Sequence, residues 1–240
     1  MKSAQIIYSR IKDQASEGKK LIVFFDLDST LFNVSYRSQV ILDKFCALDE
    51  YQKQFPEVIE KLRGFKVIYR DWGVLGALKR SQIQAPIDFF EAANSFWRKH
   101  FFDNDHMKYD RLYPGALEYV KKIVELPLKV AYLTGRNRVY MGRGTELSLK
   151  QHGFPLDEQG VELYMKPQKG LKDDHYKGGV IKEVQKGYDE IWIFDNEPVI
   201  LSYIEEHYPG VHLVFMDTVH SAKSEPQSHW LSIPGADFRF

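Results

Sequence analysis

The chain has 240 residues, 44% of them hydrophobic and 14% aromatic, enough to fill a sizeable core and too apolar for a disordered polypeptide. Lys+Arg and Asp+Glu both total 33, so there is no global field for gripping a nucleic-acid backbone or an anionic membrane, which counts against both as partners. A single cysteine, Cys46, excludes an internal disulfide and a thiolate zinc cluster, and a reducing, cytoplasmic setting is expected, with Cys46 packed in a core.

The N-terminal stretch MKSAQIIYSRIKDQASEGKK lacks the apolar run of a secretory signal. No segment approaches the ~18 apolar residues that span a bilayer. Residues 4–16 predict an amphipathic helix with Ile6, Ile7 and Ile11 on one side. Residues 21–30, LIVFFDLDST, then read as a buried strand running into two aspartates. Alternate side chains of a strand face one way, so Asp26 and Asp28 can point together beyond its end. Carboxylates that close repel unless a cation or shared proton intervenes, and a hard, oxygen-loving ion such as Mg2+ suits them.

Residues 33–112 carry mostly helical patterns (VSYRSQVILDKFCALDEYQ, FPEVIEKLRGF, PIDFFEAANSFWRKHFF), with FKVIYRDW ambiguous. The segment is too long for a connection, and is expected to be a helical insert covering the mouth of a sheet. Apolar runs at 128–134, 161–165, 190–195 and 211–216 predict four more strands, each covered on both faces. Helical stretches at 138–151, 174–186 and 197–207 alternate with them, which predicts a Rossmann-like parallel α/β sheet with right-handed crossovers. The expected division is a catalytic core of 1–32 and 113–240 with a cap of 33–112. The last twenty residues predict an irregular tail anchored by Trp230 and Phe238.

Ligands in such sheets sit beyond the carboxyl ends of the strands, so the polar residues there carry the chemistry. Asp26 is placed to attack phosphorus and form an aspartyl-phosphate. Asp28 can protonate the leaving oxygen and later take a proton from water, while Thr30 fixes the loop. Capping of turns and helix starts is the alternative for these carboxylates. In Leu133-Thr134-Gly135-Arg136, the Thr134 hydroxyl and the Gly135 N–H suit phosphate, with an N-cap role for Thr134 as the alternative. Asp195 is a candidate Mg2+ ligand, with Asn196 or Glu197 either holding a metal-bound water or starting the next helix. Two lysines compete to offset the phosphate charge. Lys177, at the start of a helix aimed at the site, is favoured over Lys166.

The order DxDxT, TGR, Lys, DNE resembles the haloacid-dehalogenase (HAD) superfamily over roughly residues 20–33 and 110–217, with the insert at the family's first cap position. The resemblance implies a HAD-like core and a phosphatase activity with Mg2+ as cofactor. It makes Asp26 nucleophile and metal ligand, and Asp28 acid/base with its carbonyl on the metal. Thr134, Gly135 and the lysine bind phosphate, and Asp195 completes the metal site. Asn196-Glu197 departs from the family's pattern, in which many members have a second aspartate. Asp28 argues against dehalogenation, which needs no protonating residue there.

The expected substrate is a small phosphorylated metabolite selected by the insert. Arg37, Arg70, Trp72 and Arg136 are its candidate contacts, each weighed against a salt bridge, packing or a loop brace. The aromatic cluster at Phe89, Phe90, Phe96, Trp97, Phe101 and Phe102 is expected to be cap core, and His220 a satisfied loop histidine. A phosphotransferase or mutase, a polynucleotide end phosphatase using the basic residues at 166–186, and a non-catalytic phosphate-binding regulator are the rival readings.

Overall fold

A computed structural model describes residues 3–157, 160–168 and 170–240. Its centre is a six-stranded sheet made of β1 (Leu21–Phe25), β4 (Lys129–Asn137), β5 (Glu162–Lys166), β6 (Glu190–Asp195), β7 (His212–Asp217) and β8 (Leu231–Pro234). The order is β5-β4-β1-β6-β7-β8, and every neighbouring pair is parallel. Both neighbours of β1 come from later in the chain, so the order reverses there, and the crevice for a ligand opens at its carboxyl end.

All five residues of β1 are buried. Their alternation sends Leu21, Val23 and Phe25 into one core, and Ile22 and Phe24 into another. The first core is closed by α1 (Ser3–Ser16) and α7 (Ala116–Val124), which insert Ala4, Ile7, Ile11 and Ala15, and Tyr119, Val120 and Ile123. The helical stripe of α1 is therefore 4-7-11-15, and Ile6 is exposed, contrary to its expected place beside Ile7. The second core is closed by α9 (Asp173–Val184) and α10 (Pro198–His207) through Ile181, Ile200, Leu201 and Ile204. Each such fully buried aliphatic or aromatic side chain contributes roughly 1.5–3 kcal/mol over its exposed state.

The C-terminal segment differs from the expected irregular tail. Residues 231–234 form β8, pairing in parallel with β7 from Val214–Leu231 to Asp217–Pro234. The run Leu-Ser-Ile-Pro is too short for its alternation to announce a strand, and its proline is tolerated because it closes an edge strand. Trp230 and Phe238 are buried against the two cores as expected.

Between β1 and α7 lie α2 (Ser35–Ala47), α3 (Asp49–Gln54), α4 (Pro56–Lys61), α5 (Gly73–Arg80), α6 (Ile87–Phe101) and a 3-10 helix at Asn104–Tyr109. FKVIYRDW forms no strand. Leu42, Phe45, Val58, Leu78, Phe89 and Ala93 gather in a hydrophobic cluster separate from the sheet cores, and Cys46 packs against it. Burial pushes the Cys46 thiol up to about 11, which makes it inert near neutral pH. A two-stranded antiparallel ribbon, β2 (Phe32–Asn33) with β3 (Arg111–Leu112), ties the two ends of the helical segment together. The sequence carries no period long enough to reveal this ribbon. The last turn of the segment is held by α8 (Arg138–Gln151), where Gly144 lets the 3-10 helix approach closely.

Candidate active site

The carboxyl ends of β1, β4 and β6 line one cavity of about 750 Å3, and Asp26, Asp28, Thr134, Gly135, Arg136, Lys177, Asp195, Asn196 and Glu197 all border it. The Asp26 N–H still donates to Phe194 O at 2.9 Å, so the β1–β6 ladder fixes its backbone. The chain then turns sharply. Leu31 and Phe32 N–H groups both donate to Leu27 O, and Ser29 takes a left-handed φ of 61°. Thr30 is buried and donates to Asn196 Oδ1 at 3.4 Å, in keeping with a loop-fixing role.

Lys177 lies in the second turn of α9 and is buried. Its Nζ donates to Asp26 Oδ1 at 2.7 Å and to Asp195 Oδ2 at 2.6 Å. Burial works against its charge, but Asp195 and Asp26 outweigh that and hold its pKa well above the usual lysine value. Burial pushes the Asp26 carboxyl up to about 7, with Lys177 opposing and the Asp195 and Asp28 charges adding to the rise. Lys166, the competing lysine, instead pairs with Asp173 at 2.5 Å and donates to Leu171 O at 3.2 Å.

Asp28 faces different cations. Arg136 reaches its Oδ1 through Nε at 3.2 Å and Nη2 at 2.5 Å, and Arg37 Nη2 donates to the same oxygen at 2.9 Å. Both arginines also bind Asp110, at 2.5 Å from Arg37 Nη2 and 2.9 Å from Arg136 Nη2, making a quartet of two positive and two negative groups that is buried except at Asp28. Burial alone would raise the Asp28 carboxyl, but Arg136 and Arg37 together hold it well below the usual carboxylate range. Arg37, a candidate substrate contact, is fully buried and does not border the cavity, and of its alternatives it makes a salt bridge, an interior one. Nothing in the stretch KYDRLY marks Asp110 as a site residue.

Thr134 is buried and its Oγ1 accepts from the Arg136 N–H at 3.3 Å. It does not cap α8; Asn137 does, its Oδ1 accepting from Val139 and Tyr140 N–H groups at 2.9 and 3.3 Å. Asp195 Oδ1 accepts from the Glu197 N–H at 2.9 Å. Glu197 accepts from the Ser221 hydroxyl at 2.8 Å, and burial pushes its carboxyl up to about 7. Asn196 Nδ2 donates to Val219 O at 2.6 Å.

Arg70 makes a salt bridge to Asp217 at 2.7 Å, which leaves it outside the cavity wall. Phe89 is in the insert core and Phe90, Phe96 and Trp97 pack against it as expected, while Trp97 also lines the cavity together with Phe101 and Phe102. His220 Nδ1 accepts from the Ala222 N–H at 3.2 Å. Among the described residues one group, His100, Asp103 and His106, has the composition of a metal site. Lys44 Nζ lies 2.9 Å from His106 Nε2, which makes that nitrogen the acceptor and places the ring proton on Nδ1, the atom facing Asp103. This is a hydrogen-bonded chain, not a ligand set.

The donor chemistry around Asp26 does fit a hard divalent cation. Two buried carboxylates from adjacent strands already share one positive charge, and oxygen is the only donor element they offer.

No protein-family model matches the sequence, and no curated protein is significantly similar to it. Solved structures do match. A crystal structure from Clostridium difficile, named only provisionally as a phosphatase, has a TM-score of 0.52 at 13% identity, covering 82% of this chain and 85% of its own. The protein tyrosine kinase A of Mycobacterium tuberculosis has a TM-score of 0.58 at 11% identity, covering 89% and 93%. A haloacid dehalogenase-like family hydrolase from Streptococcus pneumoniae is a looser match, with a TM-score of 0.48 at 12% identity over 82% and 84%. At such identities a likeness establishes shared architecture alone, here a parallel, Rossmann-like α/β sheet with flanking helices.

Proposed function

We propose that the protein is a Mg2+-dependent phosphomonoesterase acting on a small cytosolic organophosphate through an aspartyl-phosphate at Asp26. One observation carries the reading: Asp26 and Asp195 share the Lys177 ammonium at the mouth of a cavity. A buried ammonium there offsets the charge of an incoming phosphoryl group. Asp26, Asp195 and the Asp28 carbonyl would hold Mg2+, which when bound supplies positive charge to the phosphoryl oxygens.

Asp26 attacks phosphorus as the ester P–O bond breaks, and Asp28 gives its proton to the departing oxygen. Water then attacks the phosphorus of the aspartyl-phosphate and returns a proton to Asp28, releasing phosphate and the Asp26 carboxylate. Thr134 and the Gly135 N–H bind phosphoryl oxygens. Arg37 and Arg136 favour the carboxylate form of Asp28, which suits its second, proton-accepting task. The first task calls for these contacts to loosen, and leaving groups of low basicity need it least.

The test is hydrolysis of phenyl phosphate by purified protein with Mg2+. Wild-type turnover is expected to be lost on chelation and to fall at least ~10³-fold in Asp26→Asn with the circular dichroism unchanged. Wild-type inactivity across aryl, sugar and acyl phosphates would overturn the reading. A second reading, phosphoryl transfer to an acceptor other than water, is favoured by the likeness in fold to a tyrosine kinase. Product analysis with a competing alcohol separates the two.

A further inference from the structure

The cavity above Asp26 is several times larger than a phosphoryl group requires, and part of its wall is aromatic: Tyr69, Trp72, Trp97, Phe101 and Phe102. Trp97 is immobilised. Its Nε1 donates to Ser38 Oγ at 3.0 Å, and its ring lies 4.5 Å from that of Phe101. Gly73, at φ +63°, lies so close to the Trp97 indole that an added Cβ would come within 3.0 Å of the ring. This contact sets the neighbouring Trp72 at the cavity. The Trp72 side chain is 51% exposed and has no ring or hydrogen-bond partner among the described residues. A tryptophan left unpaired beside a fixed aromatic wall leaves room for one flat ring.

We propose that this cavity selects organophosphates whose leaving group carries a flat aromatic ring of nucleobase size, held against Trp72. The inference rests on the phosphomonoesterase reading and names its substrate class. Adenosine 5′-monophosphate and ribose 5-phosphate are the probes, since they share the sugar phosphate and differ in the ring. With Mg2+, wild-type kcat/KM is expected to be at least about tenfold higher for the nucleotide, the size of one base-stacking contact. Trp72→Ala is expected to bring the ratio close to one through KM, and Trp72→Phe to restore most of it. Calorimetric binding of both probes to Asp26→Asn reads the preference without turnover. Preferred nucleotide binding with no wild-type hydrolysis would keep the inference and remove the phosphatase reading. Hydrolysis with no preference, or a ratio unmoved by Trp72→Ala, would overturn the inference alone.

Discussion

Arg136 grips Asp28 through two nitrogens, Nε at 3.2 Å and Nη2 at 2.5 Å, so the residue after Thr134-Gly135 holds the carboxylate to which the proposed reaction assigns proton transfer. The same Nη2 serves Asp110, which is buried. Arg136→Ala is expected to leave Asp110 under-compensated and to cost about 3 kcal/mol, read as a lower urea midpoint. Arg136→Lys restores the charge without the fork, and is expected to recover only part of that loss.

Lys177 keeps two buried carboxylates apart in charge. Lys177→Met is expected to be strongly destabilised, by about 3–5 kcal/mol, because Asp26 and Asp195 then repel each other without an ammonium. Millimolar Mg2+ should raise the melting temperature of this variant more than that of the wild type, since the ion supplies the missing charge. Equal shifts would mean that the carboxylates do not form the metal site.

Glu197 gives a pH dependence with a definite sign. Burial raises its carboxyl from 4.5 to about 7, so between those values the folded chain holds a proton that the unfolded chain has lost. Stability therefore falls as pH rises through that window. The contribution is about 2 kcal/mol after allowance for solvent at the half-buried carboxyl, at about 1.4 kcal/mol per unit. Urea midpoints at pH 5 and pH 7.5 should differ less in Glu197→Gln than in the wild type.

Gly144 tests how the helical segment is seated on the sheet domain. A Cβ there would come within 2.5 Å of Asn104 O and 2.8 Å of Asn104 Cα, backbone atoms that cannot swing aside. Gly144→Ala is expected to cost about 2 kcal/mol by overpacking α8 against the 3-10 helix. A variant as stable as wild type would show that this contact is loose.

Much of the core and of the site could be read from local pattern. Asp26, Asp28, Thr134 and Asp195 sit at the ends of short apolar runs, and the parallel sheet makes those ends converge. Lys177 could be narrowed to one of two lysines because the choice depended on which helix turn faces the sheet. Asp110 could not be read at all. It is an isolated acid whose role exists only where Arg37 and Arg136, from distant elements, meet it. The ribbon β2–β3 and the edge strand β8 are too short for alternation to register, and tertiary pairing alone defines them.

The central claim is that Asp26 carries the phosphoryl group. Acid-quenched reaction with a 32P-labelled aryl phosphate tests this most directly. The expected result is a hydroxylamine-sensitive label on the peptide containing Asp26, dependent on Mg2+ and missing from Asp26→Asn. A label on another residue, or full hydrolytic activity in the unlabelled Asp26→Asn protein, would contradict it.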